Sequence, residues 1–369
     1  MKLIILKNHL KDGFDTVGRA TISNLNLPIL KSVLIKAQNN QIKLSATNLE
    51  IAITKTISGK IIEDGSVAVP YSTISNIINN TTSERINLET KNNTIIIKTD
   101  NYEAKISCSP ESDFPIVPRV LERDEFLELR GDALKNCLDK VIIAAGVSDL
   151  RPEISGVLMN IESSEVKLVA TDTFRLAEGR ISGSQIKNTF KQGMSVIIPL
   201  KTSQELGRII SEDDDARIYI DQNQILFKTK DTEAISRVIE GKFPDYQAIV
   251  PKDTETQIAV GKEDISNALK LTGSLSNRVS EIKLKIDGKK VIEVYSSDSV
   301  LGENNYLVPA RVTGADGQVV FNWKYLLDGV RALSGEQVSI GLSGDNKAAI
   351  IKAPGDASYF YILMPIKNN

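Results

Sequence analysis

The sequence predicts an α+β fold made of three repeated domains, each with antiparallel-rich sheets and two helices. Three observations predict it. The chain has 369 residues, 41% of them hydrophobic and 25% charged, an ordinary globular composition too long for one core, which rarely grows past roughly 250–300 residues. Related segments return at displacements of 123 to 129 residues, the signature of internal repetition. Strand-like alternation in 217–221 and 225–230 flanks the turn candidate Gln222-Asn223, a hairpin pattern of antiparallel sheet.

The elements follow in order. A polar helical segment runs from His9 to Ala20, and Ile42-Lys-Leu-Ser-Ala-Thr47-Asn48 reads as a strand. Gly65 to Pro70 is a second strand, leading into a helix over 72–79, and Asn92-Asn93 marks a turn. Asp113-Phe114-Pro115, with Pro118 behind it, closes the first domain, 1–120. The second, 121–251, opens on a helix with Leu134, Cys137, Leu138, Val141 and Ile142 on one face. It repeats the strand as Val166-Lys-Leu-Val-Ala-Thr171-Asp172 and the strand-helix unit as 193–210. Lys242-Phe243-Pro244, followed by Pro251, closes it as the first is closed, because proline ends regular pairing. The third, 252–369, has a helix with Ile265, Ala268, Leu269 and Leu271-Thr272 inward, a strand ending at Ser297-Asp298, and a strand-helix unit over 317–333. Asp287-Gly288 is its strong turn signal.

Chemistry is sparse. There is one histidine, His9, which any Ser-His-Asp or Cys-His apparatus would have to use. No GxxxxGK[ST] and no strand-GxGxxG-helix unit occurs. Asp213-Asp214-Asp215 offers carboxylates for Mg²⁺, but its place between a helix and a strand reads as a polar turn. Cys108 and Cys137 give neither a disulfide framework nor a metal spacing, so no cofactor or metal is expected. With no bilayer-length apolar run and no signal-like N-terminus, the expected setting is soluble, reducing and cytoplasmic.

Net charge is −2, which excludes a globally basic nucleic-acid binder but not a basic face. By thirds the charge is +3, −5 and 0. Lys201, Glu205 and Arg208 share a helix face, and Lys324, Asp328 and Arg331 repeat that spacing 123 residues later. Recurring basic residues on equivalent helices suit a repetitive polyanion such as duplex DNA, through sequence-independent phosphate contacts. The corresponding helix of the first domain is uncharged over 72–80, and an ordinary solvated face explains each helix taken singly.

In joint order and spacing, several segments resemble one family. They are Asn26-Leu-Pro-Ile-Leu30, Arg151-Pro-Glu-Ile-Ser-Gly-Val-Leu158, Ala170-Thr-Asp-Thr-Phe-Arg-Leu-Ala177, Glu240-Gly-Lys-Phe-Pro-Asp-Tyr246 and Tyr361-Ile-Leu-Met-Pro-Ile-Lys367. Over its whole length the chain is similar to the bacterial sliding clamps, the beta subunits of DNA polymerase III. The resemblance implies the DNA clamp fold, closed as a head-to-tail homodimer into a ring around double-stranded DNA. It implies a non-enzymatic processivity factor, with any 3'-5' exonuclease activity present by association only. The implied partners are the replicative polymerase catalytic subunit, the clamp loader, and other DNA polymerases and repair proteins carrying short hydrophobic motifs. Matched residue by residue, the partner-peptide cleft comprises Ile154, Thr171, Phe174, Arg175, Leu176, Pro244, Ile249, Asn322, Tyr325, Ala348, Ile362, Met364, Pro365 and Ile366. Leucine, isoleucine and methionine supply a deformable apolar pocket, and Thr171 and Arg175 can orient a peptide. DNA-facing residues are Arg151, Lys201, Arg208, Lys324 and Arg331. The dimer interface sets Ala104, Ile106 and Cys108 against Ser274 and Leu275.

The chain departs from the family pattern in places. Thr173-Phe174 stands where the family has Gly-His, Ala248 where a basic residue is common, Asn24 where an arginine is frequent, and Pro152-Glu153 where an aromatic pair occurs; Asn368-Asn369 extend the usual ending. A different reading, a repeat-built interaction scaffold that never encloses DNA, draws on the acidic middle third and the uncharged 72–80 helix.

Overall fold

A computed structural model describes residues 1–22 and 26–367; Asn24, Asn368 and Asn369 lie outside the described residues. The first third holds β1 (Lys2–Leu6), α1 (Lys7–Val17), β2 (Ser32–Gln38), β3 (Gln41–Thr47), β4 (Ile51–Ile57), β5 (Lys60–Glu63), β6 (Gly65–Pro70), α2 (Tyr71–Asn80), β7 (Arg85–Lys91), β8 (Thr94–Lys98) and β9 (Glu103–Ser107). The second holds β10 (Leu127–Arg130), α3 (Gly131–Ile142), β11 (Gly156–Ile161), β12 (Glu165–Thr171), β13 (Arg175–Ser182), β14 (Ile186–Asn188), β15 (Met194–Pro199), α4 (Leu200–Ile209), β16 (Asp215–Asp221), β17 (Gln224–Lys228) and β18 (Thr232–Arg237). The last holds β19 (Thr256–Gly261), α5 (Lys262–Gly273), β20 (Glu281–Ile286), β21 (Val291–Asp298), β22 (Gly302–Thr313), β23 (Gly317–Asn322), α6 (Trp323–Ala332), β24 (Gln337–Leu342), β25 (Ala349–Lys352) and β26 (Tyr359–Leu363). One order thus recurs three times. The single variation is β22, whose one long strand stands where the earlier thirds have two: its first part pairs with β21 and its end with β19.

The chain forms two compact units. One comprises Met1–Asp132, Lys187–Lys191 and Arg208–Val238; the other comprises Ala133–Ile186, Gln192–Gly207 and the rest from Ile239, so the middle third contributes to both. The first unit carries a five-stranded sheet, β5-β1-β7-β8-β9, and a nine-stranded sheet, β14-β10-β16-β17-β18-β4-β3-β2-β6. In the nine-stranded sheet, β18 lies antiparallel to β4, with Ser236 opposite Ile51. The second unit carries a twelve-stranded sheet, β15-β11-β12-β13-β26-β25-β24-β19-β22-β21-β20-β23, in which β13 lies antiparallel to β26, with Arg175 opposite Leu363.

Period-two alternation makes each strand one-sided: Ile282, Leu284 and Ile286 of β20 are buried, and the residues between them are not. Helices bury one stripe. Leu10, Phe14 and Val17 of α1 face inward at helical spacing, and Phe14 stacks with Tyr71 at the start of α2, ring centroids 6.5 Å apart. In α3, Leu134, Cys137, Leu138 and Val141 are buried as expected, and burial, against the weaker pull of Lys140, pushes the Cys137 thiol up to about 12. The matching stripe of α5 is Ile265, Ala268, Leu269 and Thr272. Leu271, expected inward, is instead 57% exposed. Burying Thr272 costs little because its hydroxyl donates to the Ala268 carbonyl at 2.7 Å. Helix α6 begins where the Asn322 side chain accepts the N–H groups of Lys324 and Tyr325 at 3.0 and 3.3 Å.

Close helix-to-sheet packing in the second unit depends on Gly329. A Cβ there would stand 2.5 Å from the buried Tyr361 ring. We expect Gly329→Ala to destabilise the protein by about 1–3 kcal/mol despite alanine's better helix propensity. Urea unfolding followed by far-UV circular dichroism measures this; an unchanged or raised midpoint would contradict the packing described.

Candidate functional site

One local structure organises both units: a turn in which a side-chain oxygen takes two backbone N–H groups. After β3, Asn48 Oδ1 accepts from Glu50 and Ile51 at 2.9 and 2.8 Å. After β12, Asp172 Oδ1 accepts from Phe174 and Arg175, both at 3.0 Å. After β21, Asp298 Oδ1 accepts from Val300 and Leu301 at 2.8 and 3.0 Å. In the first two turns a threonine hydroxyl bridges the same loop: Thr47 donates to the Ile51 carbonyl at 3.0 Å, and Thr171 to the Arg175 carbonyl at 2.7 Å. These are Asx turns, for which Asn and Asp are suited. Leu49 and Thr173 occupy left-handed conformations, φ 75° and 77°. For a β-branched threonine that conformation is strained, which gives a physical reason for glycine to be the ordinary residue there.

Of the residues expected in a cleft, all in one unit, Leu176, Ile362 and Ala348 share an apolar cluster, and Met364 and Tyr325 contact the second turn at Phe174 and Arg175. Leu176 and Ile362 are opposite each other across β13 and β26 and are almost fully buried. They belong to an apolar cluster with Leu158, Val169, Ile197, Phe243, Ile350 and Phe360, against which Ala348, Tyr246 and Val250 pack. Ile154 and Pro365 are buried, Met364, Ile366, Tyr325, Asn322 and Pro244 half-buried, while Phe174 and Ile249 are 62% and 51% exposed. Phe243, Ile350 and Phe360 were missed from the sequence. Phe243 carried a signal, since it sits in the same Phe-Pro pair that closes the first domain. Beyond β26 the Met364 N–H donates to the Phe174 carbonyl at 2.8 Å, and the Ile366 N–H to the Val320 carbonyl at 2.8 Å, so the C-terminal segment is tied to the turn and to β23.

Arg175 is committed to partners within the unit. Its guanidinium donates to Asp172 at 2.9 Å and to Asp328 of α6 at 2.8 Å, and lies over the Tyr325 ring, 4.0 Å from its centroid. Burial works against its charge, yet Tyr361, Asp328 and Asp172 together hold its pKa above the ordinary arginine value. Thr171 spends its hydroxyl on the turn, and Asn322 spends its carbonyl on the α6 cap. These polar residues hold the turn and the start of α6, whereas Phe174 and Ile249 are exposed and Met364 half-buried.

Lys201, Arg208, Lys324 and Arg331 are all exposed, with the basic residues of α4 and of α6 each two turns apart on their helix. The acids between them differ from the expected solvated pattern: Glu205 is buried, and Asp328 is taken by Arg175. Arg151 is about half exposed and paired with Glu153 at 3.2 Å. Asp213 and Asp214 form the turn between α4 and β16, as read from the sequence. Among the described residues no group of three or more His, Cys, Asp and Glu is placed to hold a metal ion. His9 Nδ1 lies 3.3 Å from the Ser58 carbonyl.

Each unit also ends in a strand edge. In the first, β9 is the last strand of its sheet, with Ala104 half-buried, Ile106 buried and Cys108 half-buried just beyond it. In the second, the Gly302–Leu307 stretch of β22 pairs with β21 on one side and, among the described residues, with no strand on the other. Apolar side chains crowd this edge: Val300, Leu301 and Leu307 are 88%, 61% and 62% exposed, beside exposed Leu271 and Ser274 and half-buried Leu275. Of these, only Ser274 and Leu275 were expected at an interface.

Comparison with known proteins agrees with this geometry along the whole chain. The family descriptions "DNA polymerase III beta subunit" match for the N-terminal domain over residues 1–118, the central domain over 128–245 and the C-terminal domain over 247–367. A beta sliding clamp of Staphylococcus aureus is 28% identical over 379 aligned positions, covering 100% of this chain and 99% of that protein. The crystal structure of the DNA polymerase sliding clamp from Bacillus subtilis superposes with a TM-score of 0.94 at 25% identity, each chain covered completely. A sliding clamp from Bartonella birtlesii, solved bound to griselimycin, superposes with a TM-score of 0.92 at 26% identity, again with complete coverage of both chains. The chain therefore belongs to the DNA polymerase III beta subunit family, the beta sliding clamps.

Proposed function

We propose that the protein works as a non-catalytic processivity clamp: two copies close head to tail around double-stranded DNA, and partner proteins dock by short apolar peptides in the cleft beside Leu176 and Met364. The observation that supports this best is the reuse of one edge. The strand following an Asx turn takes up β18 in the first unit and β26 in the second. The third such strand, β22, has its edge open, and β9 stands in the first third where β18 and β26 stand in theirs. Edge strands carry unpaired N–H and C=O groups that favour a further strand. Adding β9 of one copy to β22 of another satisfies both, and a head-to-tail contact made twice closes a ring when the rotation completes a circle. Domain limits of 1–120, 121–251 and 252–369 fit this plan, as each would donate one edge and accept one.

In such a ring the near-neutral charge is an asset. Enclosure holds the protein on DNA, while a few exposed cations, Arg151, Lys201, Arg208, Lys324 and Arg331, make salt-sensitive phosphate contacts weak enough to permit sliding. The polymerase catalytic subunit, the clamp loader and repair proteins then share the cleft. Replacing the family's Gly-His with Thr173-Phe174 adds apolar area at the rim and removes a polar tip, so peptides with large apolar anchors are favoured.

Loading onto a nicked circular plasmid tests the function. Protein loaded by a clamp loader should stay on the circle through gel filtration and leave within minutes once the plasmid is linearised; retention on linear DNA would contradict enclosure. For the edge, Leu307→Glu should convert dimer to monomer in sedimentation equilibrium without unfolding it. In the native protein Cys137 should resist thiol reagents, and Cys108 should react faster in the Leu307→Glu monomer than in the dimer. Equal rates would remove Cys108 from the interface. For the cleft, a labelled Gln-Leu-Ser-Leu-Phe peptide should bind saturably in fluorescence polarisation. Leu176→Ala with Met364→Ala should weaken it by roughly tenfold or more while the dimer persists; loss of the dimer would mark these residues as core only.

A further inference from the structure

The first unit contains a second cleft built on the same plan. The segment 111–122 arches over the face of β2, β3, β4 and β18 and leaves a cavity of about 1090 Å³ lined by Leu34, Ala52, Phe114, Val117, Leu226 and Ile235. Sharing Ile116, Pro118 and Ile235 with it is a smaller pocket of about 170 Å³ at the Asn48 turn, bounded by Leu49 and Arg237. Register makes the correspondence specific. Ile235 faces Ala52 and Leu226 across its two ladders, as Ile362 faces Leu176 and Ile350. The Arg237 N–H donates to the Glu50 carbonyl at 3.1 Å, as the Met364 N–H does to Phe174. Phe114-Pro115 covers the one as Phe243-Pro244 covers the other. The main difference adds room: alanine at 52 stands where Leu176 fills the other cleft.

We infer that this cleft is a second docking site for a short extended peptide with apolar anchors and an acidic flank. The inference rests on the peptide reading of the Leu176 cleft. Apolar anchors are called for by the lining and by Ile116 and Leu49, which stand 95% and 47% exposed at the mouth. The acidic flank follows from charge. Lys36 is paired with Glu111 at 2.8 Å, and Lys228 with Glu122 and Glu233. Lys43, Arg119 and Arg237 make no ion pair among the described residues; Glu50 is the rim carboxylate in the same position. Lys36, Lys43, Arg119 and Arg237 are matched in number by Glu50, Glu111, Glu122 and Glu233, so it is the cations outside ion pairs, Lys43, Arg119 and Arg237, and not a net charge, that are left to meet peptide carboxylates. Ile51 holds the register position of Arg175, so among the described residues this site has no counterpart of the Arg175–Asp328 link.

Titration calorimetry on the full-length protein, with the peptide Glu-Glu-Gln-Leu-Ser-Leu-Phe as probe, tests this. Two peptides per protomer are expected. Leu176→Ala with Met364→Ala should remove the tighter site and leave the weaker. Ile116→Glu with Leu49→Glu, both at exposed positions that tolerate charge, should weaken the second site by about tenfold or more and leave the first. Replacing the two glutamates of the probe by glutamine should weaken the second site about threefold or more at low salt. A single peptide per protomer at saturation, or a weaker site indifferent to Ile116→Glu with Leu49→Glu, would overturn the inference. A tight site that survives Leu176→Ala with Met364→Ala would instead overturn the reading of the other cleft.

Discussion

Backbone groups at a strand edge must find partners, and most of this protein follows from how it meets that need. An Asx turn at Asn48, Asp172 and Asp298 ends one strand and presents the next, and in two of three cases a strand from later in the chain adds to the presented edge. The sheets reach nine and twelve strands because these additions merge neighbouring repeats. The length of β22 has the same origin: it serves two ladders in succession, where the earlier thirds divide the work between β4 and β5 and between β13 and β14.

The clefts are by-products of those joins. Where β13 meets β26, the turn, the strand pair and the covering Phe243-Pro244 segment enclose apolar side chains that neither strand could cover alone. Polar residues there stabilise the frame. Arg175 fastens β13 to α6 through Asp328 and Tyr325, and Glu178, fully buried, accepts from Arg180 at 2.6 Å and from Gln247 of the covering segment at 3.2 Å. A buried charge held by such partners is costly to disturb, so the frame is held by polar links while Phe174 stands exposed and Met364 half-buried at its surface.

Much of this was legible in residues that repeat. Thr47-Asn48, Thr171-Asp172 and Ser297-Asp298 stand out in the sequence because the same turn chemistry is needed three times. The Phe-Pro pairs stand out because both segments lie over an equivalent join. The stripe of α3 was readable from period alone, apart from Ile142, which is half-buried. Other features were hidden because they depend on contacts distant in sequence. Nothing local says that Asp328 serves Arg175 or that Glu205 is buried. Leu271 was misplaced because an apolar residue beside Leu269 fits an inward stripe by type; only the buried hydroxyl of Thr272, satisfied within its helix, shows that the stripe passes through the polar residue and that the leucine faces out. The apolar edge at 300–307 went unread for the same reason, since exposed leucines in a strand resemble core until the topology leaves them uncovered.

Amide hydrogen exchange across β9, measured by mass spectrometry at concentrations above and below self-association, reports directly on whether this edge gains a partner strand. Glu103–Ser107 should exchange quickly in the dilute protein and become protected on association, together with 302–307, while the β4–β18 and β13–β26 ladders stay protected throughout. Association that leaves β9 exchanging as fast as in the monomer would contradict the edge pairing.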